Sequence, residues 1–248
     1  MKFIQSVQND KVKEWKKLTA KKGREKAGQF IVEGFHLVEE ALKKDYANVL
    51  IVDENIEIPH AWNVDDKEIY HVSAAVAKAL AETETTQGVF AVCDQKQIKA
   101  AVYSRVLLLD GIQDPGNIGT IIRTADAAGV ELVVCGEGCV DVYNGKALRS
   151  TQGSIFHIPV VKGNLHEWIP KLQAQGITVY GTSLQNAVDY REAELADSYA
   201  LVMGNEGNGV SDAVLAECDQ NLYIPILGEA ESLNVTVATG VLLYQFCK

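Results

Sequence analysis

Three polar runs in this chain carry residue types that can do chemistry. Asp114-Pro115-Gly116-Asn117-Ile118-Gly119-Thr120 leads to Arg123. Asn205-Glu206-Gly207-Asn208-Gly209 follows Met203-Gly204, and Glu231-Ser232-Leu233-Asn234 follows Ile224-Pro225-Ile226. Amides, carboxylates, hydroxyls and one guanidinium suit the binding and orientation of a polar substrate and the handling of its proton. The planar, permanently charged fork of Arg123 suits a phosphate or a developing oxyanion. Several familiar chemistries are disfavoured by spacing. The glycines after Met203 read GxxGxG and those after Cys135 meet Asp141 where a third glycine belongs, so neither run is a dinucleotide fingerprint. Gly145-Lys146 is followed by Ala147 and lacks the upstream glycine of a P-loop. No GxSxG elbow occurs. His36, His60, His71, His157 and His166 have no metal-ligand spacing, and the five cysteines form no CxxC pair. No metal is expected.

The elements that must position these runs alternate. In the second half, short apolar strands are expected at Val106–Leu109, Leu132–Cys135, Ile177–Tyr180, Ala200–Met203 and Leu222–Ile224. Helices are expected at 118–128, 164–174, 210–217 and 234–246. This rhythm implies a mostly parallel sheet with helices on both faces, whose functional loops lie beyond the C-terminal strand ends. The polar runs fall there. The last helix is apolar nearly all round, which predicts burial in the core or at a subunit interface. The first half reads as a smaller α/β domain. It has helices over 10–20 (N-cap Asp10), 34–44 and from Ser73 to Leu80, and strands at Gln29–Val32, Asn48–Val52 and Gly88–Val92. Domains are thus expected at 1–94 and 105–248, with a polar linker at 95–104.

With 248 residues, 47% of them apolar, the chain can build a packed core. No run approaches the roughly 18 apolar residues of a membrane span, and the N-terminus lacks a secretory h-region. Scattered, odd-numbered cysteines fit a reducing cytoplasm. The net charge of −10 argues against a generic nucleic-acid binder, but it is unevenly spread. Residues 1–26 hold nine Lys or Arg against three acids, a net of +6, while the remainder carries −16. This basic arm is either an RNA contact or an ordinary solvated helix.

The three polar runs, in this order, resemble the three signatures of the SpoU/TrmH class of SPOUT RNA methyltransferases. Lys146-Ala147-Leu148-Arg149-Ser150-Thr151-Gln152-Gly153-Ser154 fits the family's middle stretch, and Gly28-Gln29-Phe30-Ile31-Val32-Glu33-Gly34 resembles the opening of its substrate-binding domain. That domain is similar to a ribosomal-protein RNA-binding fold. The resemblance covers nearly the whole chain. It implies a homodimer formed through a C-terminal domain with a trefoil knot. It also implies transfer of a methyl group from S-adenosylmethionine to a ribose 2′-hydroxyl of rRNA or tRNA, with rRNA favoured. By position, it puts Gly204, Ile224 and Leu233 at the cofactor, with Thr182, Met203 and Ser232 as further candidates. It gives Arg123, Asn117, Glu206, Ser232 and Asn234 to the catalytic site. The expected role of Arg123 is to position the ribose and stabilise the alkoxide, because its guanidinium stays protonated.

Each residue also has a plainer reading. Asn117 can cap the helix after Gly116, Arg123 can be a surface ion-pair partner, and Ser232 or Asn234 can cap the last helix. Two other functions stay open: an RNA-binding module that has lost its chemistry, and an unrelated nucleotide-dependent enzyme.

Overall fold

The computed structural model describes residues 2–96 and 102–247. Half of the expected linker, residues 97–101, lies outside them. The chain divides into two compact units, Met1–Gln97 with Tyr143–Phe156, and Ile98–Val142 with His157–Lys248.

The first unit runs β1 (Lys2–Ile4), α1 (Asp10–Lys17), α2 (Lys21–Ala27), β2 (Gln29–Glu33), α3 (Phe35–Lys43), β3 (Ala47–Asp53), β4 (Glu68–Val72), α4 (Ala74–Leu80) and β5 (Val89–Asp94). Among the described residues its sheet has the order β1-β4-β3-β5-β2. β1, β4 and β3 are parallel, and β5 runs antiparallel to both β3 and β2. α1 begins one residue earlier than its expected cap implies. Asn9, not Asp10, is the N-cap, with its side-chain oxygen accepting from Lys11 N at 2.9 Å. Val12, Trp15 and Leu18 recur at helical spacing and bury against Tyr70, Val72, Val76 and Leu80. Trp15 is 4% exposed and meets the Tyr70 ring edge-on at 5.1 Å, so it is a packing residue. Ser73 caps α4 as expected.

The second unit begins with β6 (Arg105–Asp110), α5 (Pro115–Ala127) and β7 (Leu132–Cys135). The chain then contributes α6 (Gly145–Thr151) and a short 3-10 turn at Ser154–Phe156 to the first unit. It returns as β8 (Val160–Lys162), α7 (Leu165–Gln173), β9 (Thr178–Thr182), β10 (Val188–Asp189), β11 (Tyr199–Gly204), α8 (Asp212–Leu215), β12 (Gln220–Tyr223) and α9 (Val235–Phe246). Among the described residues the sheet has seven strands in the order β10-β12-β9-β11-β6-β7-β8, and every pairing is parallel.

A parallel sheet needs cover on both faces, which explains why its strands are continuous apolar runs rather than alternating ones. On one face Val106, Leu108, Val134, Val179 and Val202 pack with Leu165, Ile169 and Leu172 of α7 and Val214 of α8. The alternate residues Leu107, Leu109, Val133 and Leu201 are equally buried. α9 carries Phe246, whose ring stacks on Tyr199 at 4.0 Å and meets Tyr180 at 5.2 Å. α9 also packs along α5, where the thiol of Cys247 lies 3.4 Å from the carbonyl of Ala128. It is not wholly buried: Val237 and Tyr244 are more than half exposed. Among the described residues no helix is long and apolar enough to cross a membrane.

Candidate active site

The C-terminal ends of β9, β11 and β12 open onto a cavity of about 760 Å³ in the second unit. Its walls are the loops after these strands and the start of α9. Of the residues singled out from the sequence, Thr182, Met203, Gly204, Glu206, Ile224, Ser232 and Leu233 line it. Asn117, Arg123 and Asn234 do not.

One wall is tightly cross-linked. The loop after β6 and the loop after β11 lie side by side because their strands pair in register, Met203 opposite Leu109 and Gly204 opposite Asp110. Asp110 accepts from Ser211 N at 2.8 Å. Asn205 donates to the carbonyl of Gly111 at 2.7 Å, and its oxygen accepts from Gly207 N and Asn208 N at 2.8 and 3.2 Å. The Glu206 carboxylate accepts from Gln113 N and Asp114 N, both at 3.2 Å, and from the Asn117 amide at 3.0 Å. Partial burial acts to raise the Glu206 pKa. The hydrogen bonds from Asn117 and the Gln113 and Asp114 backbone outweigh it and hold the carboxyl below the usual glutamate range.

Gly204 is required by packing. A Cβ there would lie 2.0 Å from Val210 N and 2.1 Å from the Gly209 carbonyl carbon, where the loop folds back on the strand. Asn205 and Gly209 close that fold with two backbone hydrogen bonds of 2.9 Å.

The opposite wall is unpaired. Among the described residues the stretch 224–233 makes no hydrogen bond. Ile224 and Ile226 line the cavity, and the backbone groups of this stretch keep hydrogen-bonding capacity to spare. Asn221 adds a buried side-chain oxygen without a partner, and it also lines the cavity.

The remaining candidates take other places. Asn117 is not the helix cap: Asp114 caps α5 and accepts from Asn117 N at 2.9 Å, which frees the Asn117 amide for Glu206. Asn234 is the N-cap of α9, accepting from Thr236 N at 2.9 Å. Thr182 donates its hydroxyl to the carbonyl of Val202 at 2.9 Å. Arg123 is exposed on the outer face of α5, at helical spacing from the exposed Thr120 and Ala127, and makes no hydrogen bond or ion pair among the described residues.

Sequence reasoning named Asn205 within the second polar run but gave it no role of its own, and it passed over Asn221, which lies just before the expected strand Leu222–Ile224.

Two further places have the makings of a site. Among the described residues one group of metal-ligating side chains comes together, His36, Glu39 and Glu40 on α3, within 4.8 Å. Lys43 pairs with both glutamates at 3.2 and 2.9 Å, and His36 Nε2 is 3.0 Å from the Gln152 carbonyl, so the group is already satisfied. A cavity in the first unit, bordered by Leu37, Leu80 and Leu148, holds only about 20 Å³, room for a water.

Comparison with known proteins places this architecture. The model of the SpoU rRNA Methylase family matches residues 104–244. The chain belongs to the SpoU rRNA methylase family. The model of an MRM3-like substrate binding domain matches residues 9–91. The chain is 50% identical over 245 residues to the Bacillus subtilis 23S rRNA (guanosine(2553)-2′-O)-methyltransferase RlmP, covering 98% of each. Among solved structures, an AdoMet-bound rRNA methyltransferase from Sinorhizobium meliloti is 32% identical, with a TM-score of 0.88 over 99% of this chain and 97% of that one. The SpoU methyltransferase AviRb from Streptomyces viridochromogenes, in complex with AdoMet, is 27% identical, with a TM-score of 0.85 over 97% of each.

Proposed function

We infer that this protein is an S-adenosylmethionine-dependent methyltransferase acting on a ribose 2′-hydroxyl of ribosomal RNA. The observation that carries this reading is the cavity of the second unit, where the second and third polar runs meet and which the first run braces through Glu206. The relative of known substrate, matched end to end, favours 23S rRNA. Action on ribosomal RNA supports a cytoplasmic location.

The cavity fits the cofactor. It is large enough for a nucleoside carrying an amino-acid tail, and it offers unpaired backbone groups and the Asn221 oxygen to a polar ligand. Gly204, Ile224 and Leu233 would hold it, with Met203, Thr182 and Ser232 beside them. Bound there, S-adenosylmethionine supplies an electrophilic methyl group on a sulfonium. The protein's task is then alignment, since displacement is in line and the hydroxyl is a poor nucleophile. Glu206 and Asn117 fix the loop entering α5. Asn234 holds the start of α9, where it borders the cavity. Arg123 orients the ribose and its phosphate through a planar fork and stabilises the alkoxide. A phosphate oxygen or water takes the proton.

Arg123 lies outside its own chain's cavity, which supports a homodimer in which it serves the partner's site. Val237 and Tyr244, apolar and exposed on the helix that packs along α5, support the same face as the subunit contact. The family resemblance extends to a trefoil knot in the second unit and to RNA binding by the first.

Mass-spectrometric mapping of an unmethylated 23S rRNA transcript after incubation with the protein and S-adenosylmethionine tests the reading. One new 2′-O-methylated nucleotide is expected. Cofactor binding by calorimetry without methylation of 23S rRNA, 16S rRNA or tRNA transcripts would leave only a binding module.

A further inference from the structure

The charge asymmetry of the sequence becomes a surface in the fold. In α1, Lys13, Lys16 and Lys17 recur at helical spacing opposite the buried Val12, Trp15 and Leu18, and all three are exposed. In α2, Lys21, Lys22 and Lys26 are exposed as well. The acids of this region do not neutralise them evenly. Asp10 and Glu14 pair with Lys13 and Lys11 at the start of α1, at 3.2 and 3.5 Å. Lys16, Lys17, Lys21, Lys22 and Lys26 have no carboxylate partner among the described residues.

Two features say that this cluster is built rather than incidental. The first is its lock. Arg24 is 3% exposed and donates one guanidinium nitrogen to the carbonyls of Leu18 and Thr19, at 2.9 and 2.7 Å. Burying a guanidinium is costly unless it is well bonded, and here it fixes the turn between the two helices. Gly23 completes the lock, since a Cβ there would lie 1.9 Å from the Lys17 carbonyl oxygen. The second is the position of Lys21 and Lys22. They stand in the first turn of a helix whose N-cap, Ala20, makes no side-chain cap bond. Cations at that end oppose the helix dipole and weaken the helix. Helix stability therefore does not explain them, whereas a polyanion does.

We propose that α1 and α2 form a rigid cationic face that grips the phosphate backbone of the RNA substrate, independently of base sequence. The proposal rests on the RNA-methyltransferase reading and deepens it by naming the surface and the chemical group it contacts. The helices that carry the unpaired lysines are held by this turn, so binding needs no backbone ordering of the kind a flexible tail undergoes.

The test uses the full chain with Lys16→Gln, Lys17→Gln, Lys21→Gln and Lys22→Gln together, and an unmethylated 23S rRNA transcript as probe. Affinity is measured from about 50 to about 200 mM salt, a range over which phosphate contacts dominate the change. Losing four contacts lowers the magnitude of the log–log salt slope by about 3 and weakens binding roughly tenfold or more at about 100 mM salt. Lys11→Gln with Lys13→Gln, whose ammonium groups are already paired, changes the slope by less than about 1. Calorimetric affinity for S-adenosylmethionine is unchanged in both variants, which shows the second unit intact. An unchanged slope in the fourfold variant overturns the cationic face alone. A wild-type protein that binds the cofactor but not the transcript overturns the face together with the rRNA reading.

Discussion

The two walls of the cavity are built on opposite principles. The wall formed by the loops after β6 and β11 is cross-linked by Asp110, Asn205 and Glu206, and its glycine is packed so closely that no Cβ fits. The facing wall, from Ile224 to Leu233, makes no hydrogen bond among the described residues, and Leu227 is 92% exposed. The first is ordered before any ligand arrives. The second has polar groups without protein partners, which a bound ligand can use. Stability and binding are therefore carried by different sides of one site, and substitutions should separate them.

The largest effect belongs to neither wall. Arg123→Ala should lower methylation by about 100-fold or more while leaving cofactor affinity intact, as expected for loss of a group that meets developing charge. Subunit mixing sharpens this. Arg123→Ala combined with a chain whose cavity is blocked should regain about a quarter of wild-type activity if the guanidinium crosses to the partner. No recovery on mixing would place its action within one chain.

Gly204→Ala supplies the blocked cavity. Its Cβ must displace backbone, at a cost of about 1–3 kcal/mol for overpacking. Calorimetric melting should show a Tm lower by several degrees, at about 2–4 °C per kcal/mol for a chain of this size, together with weakened cofactor binding. Leu233→Ala, on the unpaired wall, should weaken binding without the loss of stability. Stability stays within about 0.5 kcal/mol, because the residue is already 38% exposed. Cofactor affinity should fall roughly tenfold, as expected if the ligand buries this side chain. A Tm loss for Leu233→Ala as large as that for Gly204→Ala would erase the distinction between the walls.

The smallest effect is electrostatic. Hydrogen bonds hold the Glu206 carboxyl below the usual glutamate range against the opposing effect of partial burial. A group depressed in the folded state stabilises it above its unfolded pKa, and that stabilisation is lost as pH falls through the folded value. The cross-linked wall should therefore be intact at neutral pH and loosen only in acid. In an NMR titration, Asn117→Ala should move the Glu206 pKa upward, toward the ordinary range. An unmoved value would mean that the backbone N–H groups alone set it.

Much of this site was legible in the sequence because its parts obey local rules. Buried parallel strands read as continuous apolar runs, and polar residues at their C-terminal ends mark functional loops. Of the ten residues that the family resemblance singled out, seven line the cavity. Other features depend on tertiary partners that no local pattern encodes. Asn117 reads as a cap until Asp114 is seen to take that role and Glu206 to claim the amide. Short edge strands such as β1, β8 and β10, with two or three residues each, have too few positions for a period to register. Helices α2 and α6 were hidden for related reasons. Each is seven residues long, and their stability comes from partners such as the carbonyls that Arg24 caps and the core around Leu148.

The assignment of Tyr143–Phe156 to the first unit has a consequence for anyone who would take the protein apart. The ring of Phe30 rests against Tyr143 at 4.5 Å and Phe156 at 6.1 Å, and Tyr46 meets Phe156 at 5.1 Å. No single cleavage of the polypeptide yields both units whole. A fragment ending near residue 94 loses the aromatic lid over Phe30, and one starting near 105 carries Leu148, Ile155 and Phe156 stripped of their packing. A viable split must therefore leave the first fragment with a copy of 143–156 and close the second with a short loop across the gap.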